Sequence, residues 1–446
     1  MMPTMATRFV RASSLVLTLV GAAGSSPSFA AVIKPDETAS QASPKEPATE
    51  TVYRAGLQGL AIQQLDVAET AFRESLQLDP DHSGAVLGLA EVALKKGQTQ
   101  EAEHLLQQAL TMDPKSAVVQ RAWARYLYRE KRFNEAEAAF KTAIELDPTA
   151  TAIRIDLGDF YLSALQQPEN AMAIYREVLE REPAHAGAHY ALGVALATSD
   201  ESLAAQAQAQ AELEEAARLA PESLMPFEFL GRLYVARKDY DKALEVFASA
   251  LKAQPDFVQA RVDRGDVFFA RGEDDHALAE YAEVLKLTPS SSETQIKIGI
   301  VHQRSNRIEQ AEQAYLKALE LDPKQAIAYN NLAWMAAERK QQLDEAVGWA
   351  KKAVQLVPQA TQFQDTLGWV HAARGEWREA VSVLEKASAA EPQQAEIFYH
   401  LGVVYAQRGK AKQAVNALRK ALTLDENFAN ASDAKSLLKT LGQPAA

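Results

Sequence analysis

The sequence predicts an all-α protein, an α-solenoid of stacked antiparallel helix pairs, and three observations carry that prediction. Prolines recur in frame at Pro80, Pro114, Pro148, Pro183, Pro221, Pro255, Pro289, Pro323, Pro358 and Pro392, spaced by 34, 34, 35, 38, 34, 34, 34, 35 and 34 residues. Each period holds two stretches whose apolar residues return at helical spacing. Small residues also recur at two fixed places when each repeat is numbered so that its proline is position 32. Position 8 is Gly56, Ala90, Ala124, Gly158, Gly193, Gly231, Gly265, Gly299, Ala333, Gly368 and Gly402. Position 20, allowing for insertions, is alanine throughout, from Ala68 to Ala414. Two helices approach closely only where side chains are small, so positions 8 and 20 mark their contact. Bulky residues at positions 4, 7, 11 and 24 fill the space beside it. Proline lacks an amide hydrogen and stops the second helix. One pair buries only part of its apolar surface, so the unit must recur.

In chain order, residues 1–30 read as an export leader. Arg8 and Arg11 precede the apolar run Ala12 to Ala23, and Ser28 and Ala30 supply small residues before a cleavage expected between Ala30 and Ala31. Residues 31–48 are rich in Pro, Ser, Thr, Ala and charge, lack apolar periodicity, and read as a disordered linker. Eleven repeats are then expected at 49–82, 83–116, 117–150, 151–185, 186–223, 224–257, 258–291, 292–325, 326–360, 361–394 and 395–428. The eleventh puts Glu426 where the proline would stand. Repeat 5 carries four extra residues, about one helical turn, so its second helix can lengthen and keep its buried face. Repeats 4 and 9 each gain one residue between their helices, and Pro168 is placed at a helix start. Position 7 is mostly leucine or another bulky apolar residue, with Arg264 as the exception. Residues 429–446 read as a capping helix and tail, with Leu437, Leu438 and Leu441 covering the last repeat and Lys435 and Lys439 in water.

This pattern resembles the tetratricopeptide repeat family of helix–turn–helix units, over residues 49–428. The resemblance implies a right-handed superhelix with a concave groove lined by the first helix of each repeat, at positions 2, 5, 9, 12 and 13. It implies no particular partner.

Composition narrows the function. The net charge is −12, or −14 once residues 1–30, with two arginines and no acid, are removed. Basic residues form no tracts, which argues against nucleic acid or anionic lipid as a general partner. The absence of cysteine excludes a disulfide framework, thiolate metal sites and a lipidated cysteine. No phosphate loop, dinucleotide fingerprint, HExxH, calcium loop or G-x-S-x-G occurs. The S-x-x-K matches Ser249–Lys252 and Ser436–Lys439 stand late in helices without their usual companions. His185 and His189 have a spacing that suits a metal, but no third ligand stands nearby. The expectation is therefore a non-enzymatic chain with no catalytic residue, metal or cofactor.

Two candidate binding patches remain. Repeat 3 offers Arg121, Arg125, Tyr128 and Arg129, a basic stripe at helical spacing that suits an acidic or C-terminal peptide. Position 9 runs Glu91, Arg125, Asp159 through repeats 2 to 4, so Arg125 is equally read as a rung in a charge ladder, with Arg121 and Arg129 freer. Repeats 9 to 11 offer Asn330, Asp365 and Tyr399 at position 5, Asn331, Thr366 and His400 at position 6, and Trp334 and Trp369 at position 9. Tryptophans beside hydrogen-bonding groups suit a peptide anchor or sugar stacking. Packing between repeats explains them equally well. Asparagine stands at position 6 only in repeat 9, so a repeating backbone clamp is ruled out. The segments "NNLAW" and "DTLGWV" look like those of tetratricopeptide proteins tied to exopolysaccharide export and protein sorting. The expectation is a periplasmic scaffold for a protein or peptide, with exported polysaccharide as the alternative ligand.

Overall fold

The computed structural model describes residues 48–199 and 202–442. The expected leader and linker lie outside the described residues, apart from Ala48, which opens the first helix. The described residues form 23 α-helices and no strand. They are paired as first and second helices of each repeat, from Ala48–Ala61 with Leu65–Leu78 to Ala395–Gln407 with Ala411–Leu424. The chain divides into two compact units at the boundary between Arg237 and Lys238. Within each unit, a first helix packs on its own second helix, and that second helix on the next repeat's first.

The alanine at position 20 is the centre of each pair. All eleven, from Ala68 to Ala414, are 0% exposed. Glycine at position 8 has a different neighbour from the one its spacing suggests. A Cβ on Gly265 or Gly299 would lie 2.5 Å from the ring of Tyr281 or Tyr315, the residue at position 24. The glycine is the seat for a ring, and the alanine is the contact between backbones.

In repeat 4 the turn between paired helices has Gln166 in the left-handed region at position 16; in most other described turns the left-handed residue stands at position 15. Gly97, Gly272, Gly375 and Gly409 take it, and so do Gln63, Lys131, Lys238 and Asn306. The next amide then reaches back to a carbonyl five residues earlier, as in Gln98 N–H to Ala93 O and Arg307 N–H to His302 O, both 2.8 Å. This closes the first helix in a Schellman arrangement and satisfies its last carbonyls. Repeat 9 accommodates its extra residue with two left-handed residues, Lys340 and Gln342. Pro168 starts the second helix of repeat 4. The second helix of repeat 5, Leu203–Leu219, has 17 residues against 14 elsewhere. Arg264 fits position 7 because its guanidinium pairs with Glu280 at 2.6 Å.

In the N-terminal unit a continuous core runs through repeats 3 to 5, with Phe140, Phe160, Leu192 and Tyr175 at its centre. In the C-terminal unit the last repeat is closed by the helix Ala431–Thr440, whose Leu438 and Ala434 are fully buried against Phe428 and Leu418. No helix among the described residues is long and apolar enough to cross a membrane.

Candidate partner-binding faces

In the N-terminal unit the first helix of repeat 3, Ala117–Arg129, carries the arginine stripe. Arg121 Nε donates to Asp156 Oδ2 at 2.6 Å, and Arg125 Nε lies 3.6 Å from the same oxygen. Asp156 is buried at position 6 of repeat 4. Arg125 is thus neutralised from the neighbouring repeat, as a charge ladder requires, and one expectation is corrected: Arg121, read as freer, makes the shorter of the two contacts to Asp156. The reason is reach: position 6 of the next repeat lies directly across from positions 5 and 9. Asp159 serves Tyr175, whose hydroxyl donates to it at 2.6 Å. Burial, with Asp156 adding to it, pushes the Asp159 carboxyl up to about 6, against the Tyr175 hydrogen bond and the charge of Arg125. Tyr128 bonds Ser163 at 2.8 Å and meets Phe160 edge-on. Arg129 is exposed and, among the described residues, forms no ion pair. The stripe is thus largely internal cross-bracing between repeats 3 and 4.

In the C-terminal unit the first helices are Ala326–Arg339, Thr361–Ala373 and Ala395–Gln407. The first two make more extensive contact than any other neighbouring first helices. Ala333, Ala336 and Ala337 leave room for that approach. It buries the position-5 and position-6 residues. Asn330 is 5% exposed, Asn331 2%, Asp365 8%, Thr366 3%, Tyr399 7% and His400 3%.

The tryptophans stay half-buried above them. Trp334 and Trp369 are near parallel, with centroids 6.4 Å apart. His400 completes the cluster at 4.5 Å from Trp369, stacked, and 5.6 Å from Trp334. Its Nδ1 lies 2.8 Å from both carboxylate oxygens of Asp365. Burial opposes a charged imidazole there, but Asp365, Glu338 and Glu396 outweigh it and hold the His400 pKa above its usual 6.5. Trp369 Nε1 donates to Glu338 Oε1 at 2.9 Å. Asn331 Nδ2 donates to Tyr315 Oη at 3.1 Å, and Asn330 Nδ2 to Asn331 Oδ1 at 3.3 Å. Asn330 Oδ1 is buried without a partner.

Sequence reasoning placed the tryptophans, asparagines and His400 in one patch but missed Asp156, Glu338 and the pairing that His400 makes. Asp156 and His400 both stand at position 6, and Glu338 at position 13. In each case the contact runs to a neighbouring repeat, with separations of 35 for Arg121–Asp156 and 31 for Glu338–Trp369. A search for charge pairs one repeat apart would have found Arg121–Asp156 but not the Glu338–Trp369 hydrogen bond.

The remaining histidine motif is structural. His185 Nδ1 accepts from Ala188 N–H at 3.0 Å, and His189 bridges Glu212 at 2.6 Å and Pro183 O at 2.9 Å. Ser249 and Ser436 each bond a carbonyl one turn back, at 2.9 Å.

Stacked helical hairpins whose first helices present aromatic and charged faces define a helical-repeat scaffold, a class built for protein–protein interaction. Family models described as tetratricopeptide repeat match residues 60–126, 117–150, 152–185, 230–292, 296–361 and 366–431. The chain belongs to the tetratricopeptide repeat family, whose members are generally scaffolds without catalytic activity. No curated protein matches the sequence. Among solved structures it is similar to yeast Tom70, at 15% identity over 88% of this chain and 95% of that one, with a TM-score of 0.44. A tetratricopeptide repeat protein of Parabacteroides merdae shares 20% identity over 60% of this chain and 99% of its own, with a TM-score of 0.44. YrrB, described as having an unusual peptide-binding site, shares 23% over 43% of this chain and 99% of its own, with a TM-score of 0.35.

Proposed function

We propose that the protein is an exported, non-enzymatic scaffold that holds a protein partner on the first helices of repeats 9 to 11. Its setting is the assembly of an envelope complex that exports exopolysaccharide or sorts proteins. The observation that carries this reading is the cluster of Trp334, Trp369 and His400 on three consecutive first helices. Half-exposed indoles over a rigid, fully packed base are the side chains that dominate interface energetics. Export rests on the leader-like residues 1–30, and the setting on the "NNLAW" and "DTLGWV" segments. A glycan is the weaker alternative. One face of Trp369 is taken by His400, and its ring N–H is spent on Glu338, so a sugar would find half a platform and no indole donor there.

A photo-crosslinking residue at Gln362, exposed at position 2 of repeat 10, tests the reading in envelope extracts. A protein adduct that disappears when Trp334 and Trp369 are both replaced by alanine supports it. No protein adduct, with saturable fluorescence quenching by exported polysaccharide that is lost in Trp369→Ala, moves the function to glycan binding. Mature protein should begin at Ala31, and N-terminal sequencing of the exported form checks that.

A further inference from the structure

The polar groups around the two indoles are unequal in kind. Four donors are spent inside the protein: Trp369 Nε1 on Glu338, Asn331 Nδ2 on Tyr315, Asn330 Nδ2 on Asn331 and Thr366 Oγ1 on Gln362 O. Several acceptors are left. Asn330 Oδ1 is buried with no partner, one helical turn before Trp334. Glu338, and Glu396 at position 2 of repeat 11, form no ion pair among the described residues, and both lie close enough to act on the charge of His400. His400 and Asp365 compensate each other at 2.8 Å. The nearest lysine and arginine on the adjoining first helix are also committed, Lys297 to Asp266 and Arg304 to Asp274. The face therefore has a negative balance and two partly exposed aromatic surfaces. An acidic peptide would be repelled there. A lysine or arginine side chain answers both features. Its charge sits beside the indoles, its stem packs on them, and its N–H groups meet the carboxylates.

We propose that Trp334 and Trp369, with Glu338 and Glu396, form a receptor for a basic side chain, so that the partner docks here through a lysine- or arginine-bearing peptide segment. This rests on the reading that the face takes a protein partner. It adds the partner's chemistry, and the net charge of −12 favours the same sign of approach.

The test is selection of random short peptides displayed on phage, panned on the full chain with Trp334→Leu as counter-target. Leucine keeps apolar bulk and removes the π face. Peptides that separate the two proteins should be enriched in lysine and arginine. A representative should lose about tenfold in affinity on Trp334→Leu, and lose affinity again on combined Glu338→Gln and Glu396→Gln. The Glu338→Gln side chain still offers an oxygen to Trp369, so folding is preserved, and matching thermal melts check it. Binding to the wild type should also weaken with salt. Three results overturn the proposal: discriminating peptides that are neutral or acidic, no discriminating peptide at all, or unchanged binding by the double glutamine variant. Neutral peptides lost on Trp334→Leu would sink the basic receptor and leave the protein-partner reading standing. Failure of crosslinking at Gln362 to capture any protein would sink that reading instead.

Discussion

Asp156 shows how much one side chain can organise. It is buried, and two guanidiniums, each about a quarter exposed at 25% and 28%, converge on one of its oxygens. Replacing it with alanine leaves two half-buried cations facing each other, and we expect a loss of about 1–3 kcal/mol, read by denaturant unfolding. Arg121→Glu should destabilise for the same reason, whereas Arg129→Glu should change stability by less than about 0.5 kcal/mol. Equal effects of the two reversals would contradict the pairing. His400 gives a pH signature. Its folded-state pKa is raised, so the stability it contributes is fully present below its unfolded value near 6.5 and is lost as pH rises through the folded one. The melting temperature of the C-terminal unit should therefore fall over that window in the wild type and stay flatter in His400→Gln. His400 was visible in the sequence at position 6 of its patch. The pairings of His400 and Asp156 were not, because periodicity locates a residue on its own helix and says nothing of which neighbour it reaches.

At the scale of the element, the paired helix and its turn were largely legible. The period of 34, with its insertions, placed the ten in-frame prolines and every position-20 alanine, and all eleven alanines are fully buried. What spacing could not separate was the two roles of small residues, since glycine and alanine look alike in a pattern of small positions. Tyr315 presses on Gly299, and its hydroxyl donates to Gln303 at 2.8 Å and accepts from Asn331 at 3.1 Å. That ring cannot swing aside, so Gly299→Ala should cost about 1–3 kcal/mol. Chemical or thermal denaturation measures it, and a neutral result would mean the ring is not pinned. The turns offer the opposite sign. Lys131 holds φ +60° with a side chain where Gly97 and Gly375 do so without one. Lys131→Gly should stabilise by about 0.5–1 kcal/mol, the steric relief exceeding the entropy added to the unfolded chain. Its melting temperature, compared with that of Gly97→Ala, which should fall, decides.

For the whole molecule, stability is a sum of repeats and their interfaces, so damage stays near where it is made. Removing Ala431–Thr440 uncovers Phe428, Leu418 and Leu422. Hydrogen exchange should then rise in repeat 11 first, leaving repeats 3 to 5 protected. Uniform loss of protection would show instead that the array unfolds as one. The family match and the helical hairpins together place the chain among protein-interaction scaffolds, and the distribution of charge and aromatic groups sets its individual character.

The sequence by itself determined the repeat, its number, the helix pair, the turn position and the addresses of two unusual patches. Those properties follow from what a residue does to its own backbone and its own helix face: proline ends, glycine turns, alanine permits approach. Tertiary structure decided which patch is bracing and which keeps its aromatic rings partly exposed. The arginines of repeat 3 are largely consumed by Asp156, while the close approach of the first helices in repeats 9 and 10 buries Asn330, Asn331 and Asp365 and leaves two indoles above an unpaired oxygen. That distinction depends on distances between residues about one repeat apart, which only the packed helices fix.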